Sequence, residues 1–378
     1  MQEHDNAMRR QVLSLPQLIR DQYADLEPKT RNVLTTPEIF SIQKILLTGC
    51  GDSHAAAIAA KQAFERLAGI PTEVVPTIEL SRNYEACQLG FAPNNPLVIA
   101  VSNSGTVARV GEAVQRVVRH GAFALGITGN SRSLLGTSAS RVLPLNIPPF
   151  EAAPGVRSYL VSILSLLLLA IRLGEVRGRY SMDEATACRS DLLRQSALLE
   201  QMLPEMDKEM LQLADQWKDL EAFDFIGNGC DFATAFYGQA KTFEAVGKYA
   251  MSINAEEWLH LNFFMRRVHQ IGTIVVYNVR NAANSRTREL IEYASNALKR
   301  SLLIVTDVAK PDFAKFGRVF VPKSDYMYSG MLTQFVPVAL LMGYIGEMIG
   351  EVDGRGCCDN WSFADDGAAI KNSVIDVL

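Results

Sequence analysis

The pattern of apolar and polar positions predicts strands that alternate with helices along the chain. An apolar run over residues 45–49 breaks into a glycine-rich turn, and residues 55–67 then have the pattern of a helix. Similar apolar runs at 96–101 and 124–128 follow. These runs are short and continuously apolar, which is typical of a parallel sheet covered by helices on both faces. The sequence therefore predicts an α/β fold with doubly wound parallel sheets.

The second half of the sequence repeats this pattern at a constant offset. Gly227 follows Gly49 by 178 positions, and each glycine opens a turn after an apolar run. Thr306 follows Thr128 by the same 178 positions, again at the end of a predicted strand. Two unrelated α/β domains would share short apolar strands, but they would not keep one spacing along the chain. We therefore predict a tandem duplication.

The length of 378 residues suits two domains of ordinary size. We predict a helical lead-in over residues 1–40, a first domain with linker helices over 41–214, and a second domain with a C-terminal loop over 215–378. The net charge of −4 and the lack of a basic stripe argue against a nucleic-acid partner.

Cysteine usage and hydropathy predict a cytoplasmic protein. The six cysteines have neither the C-x-x-C spacing of a zinc or redox site nor the density of a disulfide scaffold. The most apolar run, residues 159–171, is shorter than the roughly 20 residues of a membrane span, so we predict a buried helix and no membrane partner. No metal motif and no complete dinucleotide fingerprint is found, so we expect neither a metal nor a cofactor.

Two serine-bearing turns in the first half each follow a predicted strand and precede a predicted helix. They are Cys50-Gly51-Asp52-Ser53 and Ser102-Asn103-Ser104-Gly105-Thr106. Backbone N–H groups and hydroxyls at a helix N-terminus favour a bound anion, and in open parallel sheets such turns lie where ligands bind. Serine and glycine also dominate ordinary turns and N-caps, so either turn alone would be weak evidence. Together they predict an anion site.

With these turns, the chain after about residue 40 resembles the sugar isomerase (SIS) superfamily. The resemblance is to the double-SIS isomerase domain of glucosamine-6-phosphate synthase and to the related sugar-phosphate deaminases and fructosamine-6-phosphate deglycases. It implies that the two turns hold the phosphate of a sugar through Ser53, Ser102, Asn103 and Ser104. The turn residues Cys50, Gly51, Asp52 and Thr106 are further candidates for binding the substrate, with an ordinary turn position as the alternative for Asp52. It also implies that Val156, Arg157 and Ser158 line the sugar pocket.

The same resemblance implies catalytic residues in the second half. Lys241 and Glu244 lie three residues apart in a Lys-x-x-Glu helix, and His260 follows Glu244 by sixteen positions, as in the family. Glu244 would shuttle a proton between two sugar carbons, and His260 would open the ring. Lys371 matches the lysine of the family's closing loop, which reaches the open-chain carbonyl. Lys241 and Glu257 would line the same site. As alternatives, Lys241 would only support the Glu244 carboxylate, and Glu257 would have a structural role.

These residue types suit proton transfer on a sugar. A carboxylate shielded from water can have its pKa raised toward neutrality and move a proton between adjacent carbons. An imidazole can exchange protons with the ring oxygen near neutral pH, and an ammonium group stabilises the enediolate. We therefore predict a cofactor-independent sugar-phosphate aldose–ketose isomerase. The resemblance also implies a homodimer with the active site at its interface.

Differences from the family keep other functions open. Arg157 replaces a small residue, and its guanidinium suits a second or a different anion. A fructosamine-6-phosphate deglycase and an isomerase of a 6-sulfo-sugar are therefore alternatives. Val107 stands where the family has a threonine, which leaves open whether Thr106 takes over the contact with the anion. A non-catalytic sugar-phosphate sensor is the alternative from another functional class.

Overall fold

Short apolar segments form two parallel sheets. The structure is a computed structural model that describes residues 4–91, 95–308, 317–351 and 368–378. In the described residues the first sheet consists of β1 (Ile45–Gly49), β2 (Thr72–Val74), β3 (Leu97–Val101), β4 (Phe123–Thr128) and β5 (Arg141–Pro144), in the order β2-β1-β3-β4-β5. The second consists of β6 (Ala222–Ile226), β7 (Tyr249–Ile253), β8 (Ile271–Tyr277), β9 (Ser301–Thr306) and β10 (Gly317–Phe320), in the order β10-β9-β8-β6-β7. All the pairings are parallel, so the predicted fold class is confirmed.

Helices separate the strands, as the sequence predicts. They are α1 (Ala7–Leu13), α2 (Leu15–Asn32), α3 (Thr36–Ser41), α4 (Asp52–Ala63), α5 (Ala108–Arg119), α6 (Leu134–Ser138), α7 (Arg157–Val176), α8 (Met182–Trp217), α9 (Phe232–Lys241), α10 (Ala255–Asn262), α11 (Asn284–Asn296), α12 (Val336–Met348) and α13 (Ala368–Lys371). Helix α5 covers the first sheet, where Val114 packs with Leu46 and Val98. Helices α10 and α11 cover the second in the same way.

The duplication extends to an unusual helical feature. Helix α4 continues into a π-helical turn at Phe64–Ala68, and helix α9 continues into another at Thr242–Val246, which is 178 positions later. Each turn ends at a glycine in the left-handed conformation, Gly69 with a φ of 65° and Gly247 with a φ of 69°. Because single π-turns inside helices are rare, their recurrence at one offset supports a common origin of the two halves.

The described residues form two compact units that interleave along the sequence. The first unit, which holds the first sheet, takes in Ile19–Pro149, Ser158–Ser190 and Arg355–Leu378. The second unit, which holds the second sheet, takes in Met1–Leu18, Phe150–Arg157 and Asp191–Gly354. These limits differ from the single predicted boundary near residue 215. Helix α1 packs on α12 in the second unit, whereas residues 373–378 bind α5 in the first.

Two apolar helical stretches of the described chain have the length and composition of a membrane span. They are Arg157–Val176, whose most apolar window is 83% buried inside the protein, and Ser329–Met348, whose window is 100% buried. Such burial is typical of the core helices of soluble proteins. The apolar run at 159–171 thus lies in a buried helix, as predicted.

A buried carboxylate joins three helices of the first unit. Glu175 of α7 pairs with Arg189 of α8 at 2.7 Å and with Arg172 at 3.1 Å, and Arg31 of α2 lies 3.7 Å away. Burial would raise the pKa of Glu175, but the hydrogen bonds and charges of the arginines outweigh it and hold the pKa below its ordinary value. The ionised carboxylate therefore stabilises the fold.

We expect Glu175→Gln to lower the free energy of unfolding by about 2 kcal/mol, because the buried Arg189 guanidinium loses its contact at 2.7 Å with a carboxylate and keeps only the longer contact with Glu27 at 3.2 Å. Since the pKa of Glu175 is lowered from 4.5 in the folded state, the difference from wild type is full above pH 4.5 and fades below it. Urea unfolding followed by circular dichroism measures this. The control Asp215→Asn removes the exposed partner of Lys218 and should leave the unfolding midpoint unchanged. Equal midpoints for both variants would contradict the assigned role.

Candidate functional site

The two serine-bearing turns leave the first sheet side by side. Strands β1 and β3 are hydrogen-bonded neighbours, and Gly49 at the end of β1 is paired with Val101 at the end of β3. From β1 the chain crosses to β2 on one side, and from β3 it crosses to β4 on the other. Ligands of open α/β sheets bind at such a change of direction, outside the carboxyl ends of the strands. The structure thus brings together the two turns predicted to hold an anion.

The first turn is shaped by the close approach of β1 and α4. A Cβ atom at Gly49 would lie 2.7 Å from the Cβ of Ser53, so a larger residue at this position would push the helix away. Helix α4 begins at Asp52, and the N–H of Ser53 donates to the carbonyl of Cys50 at 3.1 Å. Ser53 is half-buried at the helix N-terminus, where a hydroxyl can donate to an anion.

Cys50 lies in the same turn with a protonated thiol. Its Sγ lies 2.9 Å from Thr77 Oγ1. Burial raises the pKa of the Cys50 thiol above its ordinary value, although the hydrogen bond with Thr77 lowers it in part. The neighbouring His54 has a pKa lowered by burial, which favours the neutral imidazole. Neither Cys50 nor His54 therefore adds a charge to the first turn near neutral pH, and the acidic side chain of the turn is Asp52, at the start of α4.

The second turn is held by its own hydroxyl groups. Ser102 is buried, and its Oγ accepts the N–H of Gly105 at 3.1 Å. Ser104 Oγ accepts two hydrogen bonds from Thr106, one from its backbone N–H at 3.3 Å and one from its side-chain hydroxyl at 3.1 Å. Asn103 and Ser104 are exposed, so their side chains are available to a ligand. Ser102 shapes the turn, and the Thr106 hydroxyl supports Ser104.

The end of β4 braces this turn, which the sequence reasoning missed. The N–H of Gly129 and the hydroxyl of Thr128 both donate to the carbonyl of Asn103, at 2.9 Å and 3.3 Å. Gly105 has a φ of 67°, and a Cβ atom there would lie 1.9 Å from Ser133 Oγ. The signal in the sequence was the polar segment Thr128-Gly-Asn directly after a predicted strand, as in the two turns already identified.

The C-terminal residues bring Lys371 toward the same edge of the first sheet. Helix α13, which ends at Lys371, contacts α5. Arg109, in the first turn of α5, donates to Ser373 Oγ at 3.2 Å and to the carbonyl of Val374. Because α5 directly follows the second serine turn, Lys371 lies near the N-terminal end of α5, on the side of the predicted anion site. Its side chain is exposed.

The equivalent turn of the second sheet has a different chemistry. Asp231 lies 178 positions after Ser53 and is buried. It accepts hydrogen bonds from Gln334 Nε2 at 2.9 Å and from Asn281 Nδ2 at 2.7 Å. Burial raises the pKa of Asp231 to about 6, although these hydrogen bonds lower it in part. A carboxylate in place of the serine disfavours an anion, so we do not expect this turn to bind one.

Asp231 should make the protein more stable as the pH falls toward 4. Its folded pKa of about 6 exceeds the ordinary value of 3.8, so the folded state binds the proton more tightly than the unfolded chain. The cost of ionisation is complete above pH 6 and absent below pH 3.8. We therefore expect the thermal midpoint of wild type to rise relative to that of Asp231→Asn between pH 7 and pH 4. A difference that stays constant with pH would show that Asp231 does not titrate in this range.

A buried lysine holds the predicted catalytic carboxylate in the second unit. Lys241 ends α9 and is fully buried, with its Nζ 5.1 Å from the ring centroid of Tyr237. The same Nζ donates to Glu244 Oε2 at 2.5 Å. The π-turn at Thr242–Val246 carries Glu244 outward, and 41% of its side chain is exposed in this chain. Lys241 thus supports the carboxylate, but no described contact shields Glu244 from water.

His260 lies on α10 beside an open cavity of about 490 Å³. The cavity is lined by Leu259, His260, Phe263, Phe264, Arg286 and Tyr293. Glu257 is exposed in the first turn of the helix, where its N–H donates to the N-cap residue Asn254 at 2.9 Å. An acidic side chain at this position favours the helix electrostatically, which is consistent with the structural alternative.

The two predicted catalytic groups leave from opposite ends of one strand. Glu244 precedes β7, whereas His260 lies on the helix that follows it. Strand β7 has five residues, which corresponds to about 16 Å of extended chain. Glu244 is not among the residues that line the cavity beside His260. The structure therefore does not bring the two groups together within one described cavity of a single chain.

The segment predicted to line a sugar pocket is largely buried in the protein. Val156 is fully buried, and Arg157 is 8% exposed. The Arg157 guanidinium donates to Ser14 Oγ at 2.6 Å and lies 4.4 Å from the ring centroid of Phe150. Only Ser158, at the start of α7, is half-buried. These contacts give Arg157 a structural role in the second unit.

Comparison with known proteins agrees with the predicted resemblance. Residues 38–172 match the SIS domain family. The isomerizing glutamine–fructose-6-phosphate aminotransferase of Thermococcus kodakarensis is 25% identical over 349 residues, which is 91% of this chain and 55% of that protein. The chain therefore spans about half the length of this curated relative.

Solved structures share the fold. The C-terminal domain of glucosamine-fructose-6-phosphate aminotransferase from Francisella tularensis has a TM-score of 0.80 at 15% identity, covering 93% of this chain and 99% of that chain. Tagatose-6-phosphate ketose/aldose isomerase from Escherichia coli has a TM-score of 0.69 at 16% identity, covering 95% of this chain and 100% of that chain. The fold is thus that of tandem SIS domains, and the resemblance inferred from the motifs is confirmed.

Proposed function

Residues 38–172 belong to the SIS domain family, and from this premise we propose that the protein is a sugar-phosphate isomerase that interconverts an aldose and a ketose. The observation that supports this most directly is the pairing of β1 with β3, which sets two serine-bearing turns next to each other at the carboxyl edge of the sheet. The names of the Thermococcus relative and of the Escherichia coli structural neighbour both refer to isomerization of sugar phosphates.

The two turns would hold the phosphate of the sugar. Ser53, Asn103 and Ser104 offer side-chain donors, and α4 begins within the first turn while α5 begins two residues after the second. Both helices have 12 residues, long enough for their N-terminal N–H groups and dipoles to favour a bound anion. Uncharged donors of this kind do not distinguish phosphate from sulfonate, so a 6-sulfo-sugar belongs among the substrates to be tested.

Proton transfer would then follow in two stages. His260 exchanges protons between the anomeric hydroxyl and the ring oxygen, which opens the ring. Glu244 removes the proton from carbon 2 of the open-chain aldose, and the electron pair forms the enediolate whose charge lies on oxygen 1. The proton on oxygen 2 passes to oxygen 1, and Glu244 returns its proton to carbon 1. The Lys371 ammonium stabilises the enediolate.

We expect Glu244→Gln to lower kcat about 1,000-fold with KM nearly unchanged, because the variant loses the base but keeps the phosphate-binding turns. Hexose 6-phosphates, fructosamine 6-phosphates and 6-sulfo-sugars are incubated with the protein in deuterated water and followed by NMR. Interconversion with deuterium at carbon 1 or 2 supports the isomerase. Release of an amine would indicate a deglycase, and binding without reaction would indicate a sensor.

The chain offers a matched control for Glu244. Glu65 lies on the equivalent π-turn of the first unit and pairs with Lys61 at 2.7 Å, much as Glu244 pairs with Lys241. Glu65→Gln should therefore leave kcat unchanged. Similar losses in both variants would contradict a catalytic role that belongs to Glu244 alone.

We also propose a homodimer in which His260 of one protomer completes the site of its partner. Supporting evidence is the exposed apolar segment beside His260. It comprises Leu261, Phe263, Phe264 and Met265, with Phe264 74% exposed. A second copy of the chain would cover this surface, as contiguous exposed apolar side chains are characteristic of interfaces. Within one chain His260 and Glu244 lie at opposite ends of β7. In a dimer, His260 of one protomer would lie beside Glu244 of its partner.

Mixed dimers test this arrangement. Glu244→Gln and His260→Asn should each be nearly inactive alone, and co-expression of the two should restore about a quarter of wild-type activity. Half of the dimers would then be mixed, and each mixed dimer would have one intact site. Co-expression of Glu244→Gln with the double variant should restore nothing. A mixture of the single variants that stays inactive would place His260 and Glu244 in the same subunit or remove them from catalysis.

The contacts of Arg157 remove the observation that favoured the deglycase alternative. That alternative used Arg157 to bind the carboxylate of an amino acid, but the Arg157 guanidinium packs against Phe150 and bonds to Ser14. It therefore remains an outcome of the NMR experiment and not a second proposal.

A further inference from the structure

The last described residues form a tail, Ser373–Leu378, that is bound along α5. Arg109 donates to Ser373 Oγ at 3.2 Å and to the carbonyl of Val374. At the other end of the helix, Arg119 donates to the carbonyl of Val377 at 2.8 Å. The tail therefore runs in the same direction as α5 and is held at both ends of it.

Glu112 is the centre of this attachment. It is fully buried in α5, and it pairs with Arg109 at 2.5 Å and with Arg82 at 2.7 Å. It also accepts the backbone N–H of Asp376 at 2.7 Å. Arg82 in turn pairs with the Asp376 carboxylate at 3.0 Å. One buried carboxylate thus orients both arginines and bonds to the tail directly.

A buried carboxylate in this setting acts as a geometric constraint. Its desolvation is compensated only while its charged partners and hydrogen bonds are in place, so Arg82 and Arg109 have little freedom to move. Neither arginine belongs to the serine turns or to the proposed proton-transfer groups. Glu112 faces away from solvent and cannot contact a substrate. The cluster therefore acts through the tail and not through the sugar.

The attachment also restricts Lys371. Lys371 precedes Ser373 by two residues, so its Cα lies within about 7 Å of the Cα of Ser373. Arg109, which holds Ser373, lies one residue after the start of α5 and three residues after Thr106. Fixing the tail thus keeps the Lys371 backbone close to the N-terminus of α5, where the proposed phosphate site begins.

We propose that Glu112, together with Arg82 and Arg109, is a positioning residue that clamps the tail on α5 and thereby holds Lys371 in place for the reaction. The proposal rests on the proposed isomerase function, because it assigns the clamp an effect on catalysis. Loss of the clamp would leave Lys371 present but mobile, so kcat falls while binding of the phosphate is kept.

The kinetic test is a double-mutant cycle. Glu112→Gln should lower kcat by up to about 100-fold with KM nearly unchanged, in the range expected for misplacement of a catalytic group. Lys371→Ala should lower kcat at least as much. Adding Glu112→Gln to Lys371→Ala should cause no further loss, because the clamp acts only through Lys371. If Glu112→Gln lowers kcat by the same factor in wild type and in Lys371→Ala, the variant has a general structural defect and the proposal is overturned.

A second measurement follows the tail without any reaction. Hydrogen exchange of the backbone N–H at position 376, which donates to Glu112, should be slow in wild type and fast in Glu112→Gln. Asp376→Ala removes the ion pair with Arg82 but keeps the backbone N–H that donates to Glu112, so it should release the tail in part, with a lower risk to folding because Asp376 is exposed. Gln115→Ala is the control, since Gln115 lies on α5 but bonds to Ser138. It should leave both the exchange of the tail and kcat unchanged.

The two measurements separate the possible failures. A tail that stays protected in Glu112→Gln and Asp376→Ala would overturn the clamp. A released tail with unchanged kcat would overturn the positioning of Lys371 while leaving the isomerase intact. A wild-type protein without turnover would overturn the proposed function and the catalytic effect of the clamp, and hydrogen exchange would still decide whether Glu112 holds the tail.

Discussion

The candidate site depends on one constraint, the parallel pairing of β1 with β3 at a point where the chain turns in opposite directions. Crossover connections between parallel strands are right-handed, so the helices that follow β1 and β3 pack on opposite faces of the sheet. Their N-termini then face one crevice, with Gly49 and Val101 paired at its edge. The backbone N–H groups at these two helix N-termini thus favour an anion in the crevice, whatever side chains the turns carry.

The duplicated halves keep the scaffold but differ in chemistry. Both sheets have the same strand order, and both first helices continue into a π-turn whose glutamate pairs with a lysine of the preceding helix. In the first half the lysine of this pair is partly exposed, whereas Lys241 in the second half is fully buried beneath Glu244. The turns after the first strands differ as well. The first half has Ser53, which suits an anion, and the second half has the buried carboxylate of Asp231 at the equivalent position. The first half therefore has the turn that suits a substrate anion, and the second half has the lysine–glutamate pair that suits proton transfer.

Local features of the fold could be predicted from the sequence because they depend on nearby residues. The run at 45–49 forms β1, and the helix predicted at 55–67 is α4 with its π-turn. Both could be predicted because a continuous apolar run and a glycine turn are signals that extend over only a few residues. Contacts between distant segments left no such signal. The sequence predicts that Arg157 lines a sugar pocket, but its guanidinium bonds to Ser14, which is 143 residues away. The exposure of Glu244 and the binding of the tail along α5 likewise depend on distant segments of the chain.

The attachment of the tail to α5 has a consequence for the order in which the protein is completed during synthesis. Glu112 and Asp376 are separated by 264 residues. At ribosomal rates of about 5–20 residues per second, α5 would emerge roughly 10–50 s before its partner segment. During that interval the first unit exists with two arginines and a glutamate that lack their final contact. Maturation of the first unit is thus coupled to synthesis of residues 373–378, and a nascent chain that has not yet reached them would display this helix face unoccupied.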